Sequence, residues 1–212
     1  MLPVIEQAKS APGGATDGSS TFVSGSGVRP GRRRSEESRQ AILGAAFDLL
    51  GEVGYARLTV EGIAARAGTG KQTVYRWWPG KADVLLEAVT AYAREHIPLP
   101  ETADRAADLR TFLTATFAAA TPRTSDALRA LMAEAQIDPA FGERFRETLL
   151  RPRREALGAV VDRAREAGLL APHLTTDTAV DLAFGALWYR LLATGRPLDD
   201  ELAELLTRTL LR

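Results

Sequence analysis

The chain has 212 residues, 27 basic and 27 acidic side chains, two histidines and no cysteine. That length suits one or two domains with a proper core, and the missing thiols exclude disulfides, thiolate metal sites and cysteine redox sensing. His96 and His173 lie far apart in sequence, so neither a metal nor a cofactor is expected. No run approaches the eighteen or so apolar residues of a membrane span, and the N-terminus lacks a signal-peptide core, so no membrane partner and a cytoplasmic location are expected.

The zero net charge conceals a division. Residues 28–81 hold ten basic and five acidic side chains, a balance of +5, while the 131 residues after them carry sixteen basic and twenty acidic, a balance of −4. A basic reader joined to an acidic, apolar-rich remainder is the distribution expected of a nucleic-acid binder with an effector domain.

Residues 1–34 are dominated between Ala11 and Gly31 by Gly, Ser, Thr and Pro without apolar periodicity, and are expected to form a disordered arm. The arm ends in Arg29, Arg32, Arg33 and Arg34. Such arginines either enter a minor groove beside the main reader or add non-specific, salt-dependent affinity. A first helix is expected over 35–53, capped by Ser35, with Glu36 and Glu37 complementing its dipole and Ile42, Ala45, Ala46, Leu49, Leu50 and Val53 on its buried face.

The stretch T-V-E-G-I-A-A-R-A-G-T-G-K-Q-T-V-Y-R-W-W-P-G-K, Thr59 to Lys81, is the most informative. Thr59 is a good N-cap, Val60, Ile63, Ala64 and Ala67 fall on one helical face, and Gly68 suits a left-handed C′ position. A second short helix follows from Lys71 to about Trp78 and ends at Pro79-Gly80. Two short helices across a glycine turn, the second carrying Lys71, Gln72, Thr73, Tyr75 and Arg76, predict a helix-turn-helix that binds double-stranded DNA. Gly68-Thr69-Gly70-Lys71-Gln72-Thr73 imitates the end of a phosphate-binding loop, but Ala65 and Gln72 stand where that motif needs Gly and Ser or Thr, and a helix precedes it instead of a strand. With no other catalytic constellation, the chain is not expected to be an enzyme.

Helices are further expected at Lys81 to Ile97, 104–120, 125–136, 139–167, 175–194 and 199–211. Asp138-Pro139 is a strong start signal, and Pro152 should kink or interrupt the long helix after it. The whole predicts an all-α fold of eight or nine helices. It divides into the arm (1–34), a helix-turn-helix domain (35–80) and an effector and dimerisation domain (81–212). Helix 175–194 is apolar nearly all round, and the last helix repeats Leu202, Leu205, Leu206, Thr209 and Leu210 on one stripe. A partner subunit is the natural cover for both, which predicts a homodimer through the last two helices. A twofold dimer also reads two half-sites of a pseudo-palindrome, where one recognition helix reads too few base pairs.

The amphipathic Ile42–Leu50 segment, the Gly54-Tyr55 corner, Leu58-Thr59-Val60, Ile63–Gly68, Thr73–Trp78 and Lys81 together resemble the DNA-binding domain of the TetR family of bacterial transcriptional regulators. The likeness covers roughly Ser35 to Val89. It departs where Gly70 replaces the usual capping Ser and where Trp77-Trp78 replaces His-Phe. The resemblance implies phosphate contacts from Thr59, Tyr75, Trp77 and Lys81, while Lys71, Gln72 and Thr73, at the start of the recognition helix, are expected to face base edges. It also implies a small organic effector of unknown identity, bound among the central helices, that releases DNA. Phe112, Phe117, Met132, Phe141, Phe145, Trp188 and Tyr189 are the expected lining. Repression is the family default, and activation or the lack of any effector is the alternative.

Overall fold

The computed structural model describes the backbone from Pro30 to Arg212 and the side chains from Ser35 onward. Its elements in order are α1 (Pro30–Val53), a 3₁₀ turn (Tyr55–Arg57), α2 (Val60–Arg66), α3 (Lys71–Tyr75), α4 (Lys81–His96), α5 (Arg105–Ala118), α6 (Pro122–Ile137), α7 (Pro139–Phe145), α8 (Arg151–Glu166), α9 (Thr176–Tyr189) and α10 (Asp200–Leu210). A π-helical segment, Arg146–Leu150, joins α7 and α8 into one rod, and another, Arg190–Thr194, extends α9. The described residues therefore form nine helical rods and no strand, with one antiparallel bridge between Leu170 and Leu211. The expected all-α fold is found.

Local chemistry accounts for most boundaries. The Thr59 hydroxyl accepts from Gly62 N at 3.0 Å, capping α2, a bond that contributes about 1 kcal/mol. Gly68 sits at φ 65°; its N–H reaches Ala65 O at 3.2 Å and that of Thr69 reaches Ala64 O at 2.9 Å, the paired bonds of a Schellman stop. Thr121, Asp138, Thr175 and Asp199 cap α6, α7, α9 and α10 in the same side-chain manner as Thr59.

Three expectations need correction. First, α1 begins at Pro30, inside the segment expected to be disordered; proline is tolerated there because the first N–H of a helix has no partner anyway. Ser35 thus lies within the helix instead of capping it, and Glu36 and Glu37 stand too far in to meet its dipole. Second, α3 ends at Tyr75, and Trp78 N returns to Val74 O at 3.0 Å in a closing turn. Third, α6 starts at Pro122, not near 125, with Thr121-Pro122 acting as Asp138-Pro139 does. Pro152 does interrupt the long helix as expected: lacking an N–H, it is preceded by π-register bonding in which Arg151 N reaches Arg146 O.

Two hydrophobic clusters form. One joins α1 to α4 with residues far along the chain, including Ala127, Leu131, Phe141, Phe145 and Leu149. The other gathers the end of α4 with α5, α8, α9 and α10. Leu128 and Trp188 pack against both. The helix-turn-helix therefore shares its core with α6 and α7, and α4 runs through both clusters.

Candidate DNA-reading surface and effector cavity

The reading surface is built on α2 and α3. Lys71, Gln72, Tyr75 and Arg76 are exposed and Thr73 is half-buried, while Val74 on the opposite side of α3 is fully buried in the core. One anchored residue thus fixes the rotation of a short helix and presents its polar side chains outward. Tyr75 is 47% exposed, too open for a packing role to explain it. Arg76 places its guanidinium 5.5 Å over the Trp77 ring, and Trp77 meets Trp78 edge-on at 5.3 Å. Trp78 is buried and donates its indole N–H to Glu87 Oε2 at 2.9 Å. The double tryptophan is therefore split between an inner anchor and an outer plate that supports Arg76.

Lys81 is the least free of the expected DNA contacts. Its Nζ donates to Tyr55 O at 2.8 Å and Leu58 O at 3.0 Å, and it stands 4.2 Å over the Tyr55 ring. It clamps the 3₁₀ turn ahead of α2, leaving one ammonium proton for a phosphate. The side chains of Arg32, Arg33 and Arg34 lie outside the described residues.

A cavity of about 460 Å³ opens between α4, α5, α6, the α7–α8 rod and α9. Of the seven side chains expected to line it, Met132 and Trp188 do. Phe112, Phe117, Phe141 and Phe145 are instead fully buried core, and Tyr189 is 65% exposed on the outer side of α9. Large aromatic rings fill space, whereas this wall is opened by small residues: Ala93, Ala119, Ala120 and Gly185 line it with Val89, Tyr92 and Phe184. Its charged members are Arg153, Arg154 and Asp181, and Arg154 Nη1 pairs with Asp181 Oδ1 at 2.5 Å. Arg153 escaped the sequence reading, yet a signal existed. It sits four residues from both Leu149 and Leu157 on the buried stripe of its rod, where a charge is anomalous.

Polar ties join reader and effector halves. Tyr55 Oη donates to Glu134 Oε2 on α6 at 3.0 Å. Arg144 on α7 grips Asp83 at the start of α4 with bonds of 2.7 and 3.3 Å, and that carboxylate holds the guanidinium above its usual pKa. Arg123 Nη1 meets Asp48 of α1 at 3.0 Å.

A capped two-helix reader with an outward polar helix, fused to a helical domain around a cavity, is the architecture of a helix-turn-helix transcriptional regulator. The chain matches the family model described as "Bacterial regulatory proteins, tetR family" over residues 42–88 and that described as "Tetracyclin repressor-like, C-terminal domain" over residues 99–210. The chain belongs to the TetR family, whose members are regulators and not enzymes. The uncharacterized HTH-type transcriptional regulator YdeS of Bacillus subtilis strain 168 is 34% identical over 170 residues, 80% of this chain and 86% of the relative. The DNA-binding transcriptional repressor TetR of Mycobacteroides abscessus is 30% identical over 175 residues, 79% and 88% of the two chains. The crystal structure of the TetR family transcription regulator SCO0332 superposes with a TM-score of 0.69 at 31% identity, covering 82% of this chain and 96% of that one.

Proposed function

We propose that the protein represses transcription by binding a pseudo-palindromic operator as a homodimer, and that a small organic effector entering the cavity releases it. The carrying observation is the course of α4. It begins at Lys81 against the reader, and its Val89, Tyr92 and Ala93, with Ile97 just beyond its end, line the cavity. An effector that repositions this helix changes the separation of two recognition helices in a dimer, which must match about one DNA turn, roughly 34–36 Å. Effector and DNA then weaken one another by the same factor.

The dimer assignment rests on exposed apolar side chains of the last two rods. Leu182, Tyr189 and Leu192 are 45%, 65% and 47% exposed, with Leu205 of α10 at 50%. Leu182 and Tyr189 stand at i and i+7, one face of α9. This is the uncovered part of a helix whose other side, Ala179, Val180, Ala183 and Leu187, is buried within the chain.

On this reading Thr59, Tyr75, Trp77 and Lys81 position the protein on phosphates, while Lys71, Gln72 and Thr73 meet base edges. The test is selection of bound duplexes from a random pool, followed by a screen of organic compounds for release. Recovery of an inverted repeat supports the dimer reading, and a single unrepeated site overturns it. Trp188→Ala should keep its helical circular dichroism and operator binding but lose release. Unaltered release at the same compound concentration would remove Trp188 from the site.

A further inference from the structure

The cavity wall carries an uncompensated positive charge. Arg153 reaches it from α8, and its Nη2 is buried without a hydrogen-bond partner. The only interaction of its guanidinium among the described residues is with the face of Phe112, whose ring centre lies 4.9 Å from Cζ. The other charged pair of the wall, Arg154 and Asp181, neutralises itself. The two threonine hydroxyls of the wall are already committed as donors: Thr116 Oγ1 to Phe112 O at 2.7 Å and Thr124 Oγ1 to Ala119 O at 2.5 Å. The cavity is therefore an apolar chamber with one net positive group.

A half-buried cation without an acceptor is costly in proportion to its burial, and an aromatic face offsets only part of that cost. Burial alone already pushes the Arg153 guanidinium below its ordinary pKa. A guanidinium fork is geometrically suited to an anionic oxygen pair, and its bonds to such a group are stronger than neutral ones. Apart from the Phe112 ring, Arg153 has no interaction partner among the described residues, and none that carries a negative charge.

Building on the effector reading above, we infer that the cavity takes an organic anion, an apolar body bearing one acidic group, with Arg153 as the residue that meets the acid. Met132, Phe184 and Trp188 supply the apolar wall, the division of labour usual for small-molecule sites. Neutral and cationic molecules of the same shape are discriminated against, because they leave the guanidinium unpaired or repel it.

The test uses the full chain and two probes of one skeleton, anilinonaphthalene sulfonate and the uncharged phenylnaphthylamine, titrated by fluorescence. The wild type is expected to bind the sulfonate about tenfold or more tightly than the amine. Arg153→Met keeps the stem and removes the charge, so it should abolish that preference while leaving amine affinity unchanged. Arg153→Lys should restore part of it. Equal sulfonate binding by wild type and Arg153→Met would overturn the inference. So would an equal loss of both probes, which would mark Arg153 as a packing residue. If the wild type bound neither probe, the cavity reading itself would fail, a distinct outcome.

Discussion

The Tyr55 hydroxyl donates to Glu134 across 79 positions of sequence, at 3.0 Å. Burial first, then this bond, raises the phenol well above its ordinary pKa, so Tyr55 keeps its proton and donates at neutral pH. Tyr55 also carries the Lys81 ammonium on its ring. One side chain thus links the corner before α2, the start of α4 and the last turn of α6.

Tyr55→Phe keeps the ring and deletes the donor. It should lower stability by about 1–3 kcal/mol in denaturant unfolding, because the half-buried Glu134 carboxylate loses its partner. Operator affinity without effector should change less than the effector concentration needed for release. A variant as stable as wild type would show that water replaces the phenol without loss.

Lys81→Ala removes the clamp on the carbonyls of Tyr55 and Leu58. The expected loss is about 1–3 kcal/mol, visible as a lower thermal midpoint. DNA binding should weaken equally on all sequences, with the salt slope falling by about one unit if the remaining proton meets a phosphate. A changed sequence preference would contradict a positioning role.

Gln72→Ala should cost about 1–3 kcal/mol on the preferred operator and relax one position in each half-site. Stability should not move, since Gln72 is exposed. Binding-site selection repeated with the variant reads the outcome directly. An identical consensus would take Gln72 off the base edges.

Gly142→Ala tests the packing of α7 on α6. A Cβ there would stand 2.7 Å from Ala135 O, a backbone atom that cannot swing aside. The two helices must separate, at about 1–3 kcal/mol by analogy with overpacked cores. Gly44→Ala, where nothing lies within 4 Å, is the control and should be neutral or stabilising.

Acid should act through Asp108. Desolvation pushes its pKa up, but hydrogen bonds from the Thr102 hydroxyl and N–H, at 2.7 and 2.9 Å, together with Arg105, outweigh it and leave the carboxyl below its usual value. A depressed folded pKa contributes stability that is complete above the unfolded value of about 3.9 and disappears as pH falls through the folded one. Asp108→Asn should therefore lower the thermal midpoint at neutral pH. Its deficit against wild type should shrink below about pH 4.

The reader was legible in the sequence because its signals are local. Thr59 and Gly68 fix the ends of α2 with bonds spanning a few residues, and Val74 sets the rotation of α3. The cavity was not, because space is defined by what surrounds it. The resemblance puts aromatic residues on the wall, yet Phe112, Phe117, Phe141 and Phe145 are large enough to fill the core and do so. Alanine and glycine open the chamber, and nothing local distinguishes a wall alanine from Ala127, which is fully buried. The π segments were equally hidden, although Pro152 marked where helical register had to give.

The shared core of reader and effector halves limits how regulators of this architecture can be recombined. A chimera cut at Gly80 would carry Ile42, Leu58, Ile63 and Val74 away from Leu85, Leu131, Phe141 and Phe145, members of the same cluster. The transplanted reader would present a raw apolar flank and meet a foreign one. A graft that changes operator choice without loss of folding must leave that cluster intact and exchange only the outward side chains of α3, or else carry α4, α6 and α7 along with the reader.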